Sequence, residues 1–264
     1  MLSLIKAEFQ KRCFKLSVLI PWGMILLLST QLVRASSNIS DMYADVFLKF
    51  TGMAPFIGIV IFTMFSGAYI QEYESKMNSL INSTKLGKKK TIMAKWIAHG
   101  IMASIINISV FFVVFHKAYS AANGKGLDLQ LTKLWYFGNS GSTLTVLQLI
   151  LIVCLTIILG SFFFAQIGLT LSSISKSAVL PFILGGVIMG LPTFLNIILV
   201  TMGIPSKTIA HIGGFFPLNV MYYSEQIRNG MPFIVTLINA ALFLIAMIVL
   251  PKITYKAFVD PNKK

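Results

Sequence analysis

Three histidines, His99, His116 and His211, are the side chains of this sequence best suited to hold a metal, and they are far apart with no partner spacing. No H-E-x-x-H and no G-x-S-x-G occurs. A lone histidine at the end of an apolar run serves more often as an interfacial polar residue than as a ligand. Gly87-Lys88 is the nearest approach to a phosphate-binding loop, but Asn82 stands where G-x-x-x-x-G-K-[ST] needs its first glycine. No catalytic residue, bound cofactor or metal is therefore expected in this chain. The long apolar runs carry amides and hydroxyls instead: Asn107, Gln148, Thr156, Gln166, Asn196 and Asn239. These groups can hydrogen-bond between helices. They cannot exchange protons, so the ionisable residues that coupled carriers place at mid-membrane are missing. If this chain moves something uphill, the energy comes from elsewhere.

The elements that hold these residues follow from where the charges stop. Of 264 residues, 56% are apolar and only 11% charged, against about 25% charged in a typical soluble domain; the mean hydropathy is +0.81. Six runs have the roughly 20 apolar residues needed to cross a bilayer core of about 30 Å: 16–33, 51–70, 96–115, 144–171, 179–202 and 231–250, none with Asp, Glu, Lys or Arg. Continuous runs of this kind are not the alternating strands of a membrane barrel. The expected fold is thus all-α, one membrane domain over 1–264 with six transmembrane helices, and the first run is a retained helix rather than a cleaved signal. Of the 22 Lys and Arg, fifteen fall on the side of the two termini and seven on the other, which puts both termini in the cytoplasm. The net charge of +14 is then a mark of sidedness and lipid contact, not of nucleic-acid binding. Cys13 and Cys154 lie near opposite faces under this topology, so no disulfide is expected between them.

Three polar stretches carry further pattern. Leu2, Ile5, Phe9, Cys13 and Leu16 share a narrow helical arc. Residues 1–15 form either an amphipathic interface helix, its cations toward lipid phosphates, or a plain lead-in to the first span. In 71–90, Tyr73, Met77, Leu80 and Ile81 share one face, Glu72 and Glu74 occupy the first turn where the helix dipole favours anions, and Gly87 is placed to end the helix. Its apolar stripe suits a docked partner or a lipid surface. Residues 203–230 are too apolar for a solvated loop and are broken by Pro205, Gly213, Gly214 and Pro217, which suggests a re-entrant segment on the outer side. Residues 116–143 read as an outside loop without a motif. Gly186-x-x-x-Gly190 and Pro192 suggest close packing and a kink in the fifth run, either for packing alone or for gating.

The run Glu72-Tyr73-Glu74-Ser75, then Leu80-Ile81-Asn82-Ser83-Thr84, then Gly87-Lys88-Lys89-Lys90 and Lys95-Trp96 resembles the ABC-2-type permease family. The order of elements resembles it over nearly the whole chain, and the short permeases of lantibiotic immunity and bacitracin resistance in particular. The basic turn is lysine-rich where many members have arginine. The resemblance implies a bacterial plasma-membrane exporter of an antimicrobial peptide or related amphiphile. Two permeases, identical or sister chains, would surround a pathway, and ATP and Mg would be held by a separate cytoplasmic ABC ATPase. The ATPase would dock on a coupling helix carrying Glu72, Tyr73, Glu74, Met77, Leu80 and Ile81, with Phe9 of the N-terminal helix beside it. Asn107, Asn196, Phe215, Phe216, Tyr222 and Tyr223 are candidates for the pathway or its outer gate. A permease for a lipid-linked substrate, or a membrane scaffold or regulatory subunit that transports nothing, are the alternatives.

Overall fold

The computed structural model describes residues 1–33, 36, 38–75, 81, 83, 87–138, 140–204, 208, 222–231 and 233–259, apart from the side chains of Cys13, Thr193, Asn196 and Phe233. Helices α1 (Leu2–Glu8) and α2 (Leu16–Leu32) are joined by a π-helical turn, Phe9–Cys13. They are followed by α3 (Ile39–Gly52), α4 (Ala54–Ser66), α5 (Ile70–Glu74), α6 (Gly87–Ala121), α7 (Val146–Ile174), α8 (Val179–Thr201), α9 (Tyr223–Arg228) and α10 (Phe233–Val259). No strand occurs among the described residues, in keeping with the expected all-α membrane fold. Four stretches are long and apolar enough to cross a membrane: Ala54–Glu74, Gly87–Ala121, Val146–Ile174 and Ile234–Val259. A fifth is counted if α1 and α2, bent by 74°, are one span, and α8 contributes the shorter apolar stretch Val179–Pro192.

Contacts at the two ends of the bundle set the alternation of the helices. At one end Glu8 meets Lys95, and Tyr73 meets Ser173 and Phe258. At the other Lys117 reaches the Thr30 carbonyl, Tyr43 reaches that of Lys125, and Tyr136 meets Glu225. Helices α2, α4, α6, α7 and α10 therefore each run from one end to the other. Helix α8 lies antiparallel to α4, Gly185 against Phe62 and Met189 against Gly58.

Helix α4 is the centre because it is apolar all round: Ile57, Val60, Ile61, Phe62, Met64 and Phe65 are all buried. Three glycine contacts, Gly58 with Met189, Gly168 with Phe65 and Gly185 with Phe62, let its neighbours close on it. A Cβ on Gly185 would sit 1.9 Å from Phe62, and one on Gly168 would sit 2.4 Å from Phe65. Close approach at small residues is how helices associate in lipid. The expected pair is not the one used: Gly186 has open space around it, and Gly190 has only Phe194 of its own helix nearby. The face that packs is one residue away, at Gly185 and Met189.

Other sequence expectations are corrected. The stretch before the second run is helical over Ile39–Gly52, capped by Asn38, whose side chain accepts from the Ser40 N–H. Its Met42, Tyr43, Val46, Phe47 and Phe50 are buried, while Asp41, Asp45 and Lys49, four residues apart, line its wetter face. Gly87 belongs to α6, and residues 84–86, where the preceding helix is expected to end, lie outside the described residues. At about 1.5 Å per residue, this helix of 35 residues outreaches the bilayer core and carries His116 within it. Residues 122–145 are not a loose loop: Leu131, Leu134, Tyr136 and Phe137 are buried and Gln130 bridges Thr145. Gln148 is exposed and completes a capping box with Thr145 at the start of α7, instead of bonding between helices.

Candidate functional site

The π-helical turn begins the arrangement at the N-terminal end of the bundle. Glu8 and Arg12, four residues apart, lie on one side of the helix. Arg12 is only 4% exposed, so it does not point to lipid headgroups as the amphipathic pattern implies. On a helical wheel it stands about 20° from Ile5 at 100° per residue, at the edge of the apolar arc, and the turn carries it into the bundle. Leu2 and Leu16, in contrast, are exposed and Phe9 is half-buried.

Lys95, in the third turn of α6, is the residue around which the site is built. Its ammonium is fully buried, 3.0 Å and 3.1 Å from the two oxygens of Glu8 and 2.7 Å from Oε1 of Glu72. An ammonium has three N–H donors, and these three oxygens use them. The Tyr69 ring lies 5.4 Å from Nζ, within the range of a cation–π contact. Arg12 donates to the Ala68 carbonyl at 3.4 Å. His99, one turn further along α6, is fully buried, and its Nδ1 lies 2.7 Å from the Lys95 carbonyl. A carbonyl only accepts, so Nδ1 carries the proton, and Nε2 is without a protein partner among the described residues. Two carboxylates and two cations thus meet in the interior and balance.

The same end holds α5. The Tyr73 hydroxyl donates to the Ser173 carbonyl at 3.1 Å, and the Tyr69 N–H donates to Ser172 Oγ at 3.1 Å, whose hydroxyl in turn donates to the Ser66 carbonyl at 2.8 Å. Phe258 of α10 stacks near both tyrosines, with ring centres 5.1 Å and 6.2 Å apart. Of the residues expected on a docking helix, Glu72 is buried and faces Lys95, Tyr73 and Ile81 are half-buried, and Glu74 is exposed. Helix α5 closes at Glu74; Met77 and Leu80 lie outside the described residues.

The pathway candidates are dispersed. Asn107 is fully buried between α6 and α7, its Nδ2 donating to the Ala103 carbonyl at 2.9 Å and to Ser161 Oγ at 3.4 Å. Tyr222 is buried against Phe50, with ring centres 4.9 Å apart, at the opposite end of the bundle. Tyr223 begins α9 and is half-buried. Phe215 and Phe216 lie outside the described residues, as does most of the expected outer segment 203–230, and so does the side chain of Asn196. At that end Arg228 donates to Glu225 at 3.0 Å and to the Tyr136 hydroxyl at 3.1 Å, and its guanidinium lies over the Tyr136 ring. Burial, and then Glu225, push the Tyr136 phenol well above its usual range. Gln166, Thr170 and Thr254 form a second interhelical set between α7 and α10.

Lys95 was hidden in the sequence by its position beside a charge-free run, where it passes for an anchor. The signal that could expose it is the four-residue spacing of Lys95, His99 and, two steps on, Asn107, a polar stripe on the face that also carries the buried Ala98, Met102 and Ala103.

Several apolar membrane-length helices with a charge cluster at one end mark a multi-pass membrane protein. The sequence profile of the ABC-2 family transporter proteins matches residues 25–251. The chain belongs to that family, whose members are the transmembrane permease component of ABC transporters and not the ATPase. No curated protein matches the chain. The family match takes in Glu72 and Lys95 and begins after Glu8 and Arg12.

Proposed function

We propose that this permease works in the bacterial plasma membrane with both termini in the cytoplasm, driven by a separate cytoplasmic ABC ATPase that docks on residues 71–90 beside α1. Membership of the ABC-2 family over residues 25–251 carries this reading. The orientation is supported by the fifteen Lys and Arg on the side of the termini. Docking is supported by the exposed Glu74 and by a half-buried Tyr73 tied to α7 and α10, so that force on this short helix reaches two spans directly. ATP and Mg belong to the partner, and two permease chains, identical or sister, enclose the pathway.

The substrate in this reading is a lantibiotic-like antimicrobial peptide or a related amphiphile, moved outward. Spans that are apolar and aromatic-rich beyond the charge cluster at one end suit such a molecule and do not suit a small ion. Asn196, Tyr223 and the segment carrying Phe215 and Phe216 are the surfaces proposed for it. Asn107 and Tyr222, both buried in the packing, are the remaining candidates. Cells that express the chain together with a cognate ABC ATPase are expected to survive higher doses of a cationic lantibiotic than cells expressing either alone. An unchanged inhibitory concentration across a panel of such peptides contradicts the substrate assignment.

A further inference from the structure

Helix α1 has no buried residue of its own, and Leu2 is 83% exposed. Apolar burial therefore does little to hold it. Its ionic tie to the bundle is the two-oxygen grip of Glu8 on Lys95, at the junction with the π-helical turn where Phe9 packs on the core and Arg12 bonds to the Ala68 carbonyl. The same ammonium takes Glu72 of α5 as its third acceptor. Glu72 is 3% exposed and turned inward, so it is not available as a contact for any docked protein.

We propose that Lys95 is a positioning residue, which fastens α1 and α5 to the third-span helix α6 so that the three move as one body. Its importance for transport rests on the docking site proposed above; the fastening itself does not. A push on residues 71–90 is then delivered to α6 through Lys95 as well as to α7 and α10 through Tyr73. The four charges are balanced, which permits a test by paired neutralisation: Glu72→Gln with Lys95→Met removes one charge of each sign and leaves Glu8 and Arg12 to balance each other.

Amide exchange of the chain alone in lipid nanodiscs reads the fastening. In the Glu72→Gln/Lys95→Met variant, amides of 2–13 and 70–74 are expected to exchange about tenfold faster, as a locally opened unit does, while those of α7 do not change. Glu8→Gln, which keeps the Glu72–Lys95 pair, is expected to free 2–13 alone and serves if the double variant does not fold. Unchanged exchange at 2–13 in Glu8→Gln, or at both segments in the double variant, overturns the proposal. With a cognate ABC ATPase added, the double variant is expected to bind it and to lose ATP-driven transport. Full transport with α1 released would remove Lys95 from the coupling path, whereas a wild-type chain that binds no ATPase would refute the docking reading and leave the exchange result to decide the fastening.

Discussion

Lys95→Met alone should cost most of the folded protein. The substitution shortens the side chain by one atom and removes the ammonium that touches both Glu8 and Glu72. Side-chain exposure is 12% for Glu8 and 4% for Glu72, so water cannot replace what is lost. Removing one partner of a buried ionic set costs roughly 3–5 kcal/mol, because the remaining charge is left unpaired, whereas exchanging the whole pair for neutral groups is often near neutral. A membrane protein with ordinary stability cannot absorb the first. The expected result is a collapse in the monodisperse fraction on detergent extraction and a lowered thermal midpoint, with recovery when Glu72→Gln is added. Wild-type stability of Lys95→Met would show that the cluster is hydrated and carries little energy.

The second large effect is steric. Gly185→Leu places a side chain where Phe62 already stands: the Cβ itself would lie 1.9 Å from Cδ1 and 2.2 Å from Cγ of that ring. Phe62 has no room to turn away, being fully buried and set edge-on to Phe65 and Phe164. Helix α8 must then move off α4. Overpacking of this kind costs about 1–3 kcal/mol, occasionally more. Gly186→Leu is the matched control, since open space surrounds that position, and its effect should stay within about 0.5 kcal/mol. Thermal unfolding of the two variants side by side separates the faces of α8. Equal loss in both would mean that the Gly186 face is also covered.

What the sequence discloses and what it hides divide along physical lines. The charge-free runs announce the long helices because lipid tolerates no ionic side chain on an exposed face, and Thr145 with Gln148 announces the start of α7 through a local cap. Helix α3 stays hidden because Asp41, Asp45 and Lys49 interrupt its hydropathy, though they fall on one face and leave the other wholly apolar. Glycine patterns mislead for a related reason: Gly186 and Gly190 have the right spacing, but only the three-dimensional neighbour decides that Gly185 is the one in contact. The charge cluster is the hardest to foresee. Glu8 and Lys95 are 87 residues apart, and each has a plausible local role, one as the polar face of an interface helix and the other as a membrane anchor. Nothing in either neighbourhood requires the other. Glu72 likewise sits in the expected helix, yet it turns toward the bundle because the buried ammonium needs a third acceptor more than the solvent needs another carboxylate.

The proposed function requires that an ATPase dock on the segment after the second span. The direct measurement is co-purification of a cognate ABC ATPase with the wild-type chain and with a Tyr73→Asp/Met77→Asp/Leu80→Asp variant, both first shown to be monodisperse. A stable complex is expected with the wild type and none with the variant. An undiminished complex, with ATP hydrolysis still coupled to the permease, would contradict it.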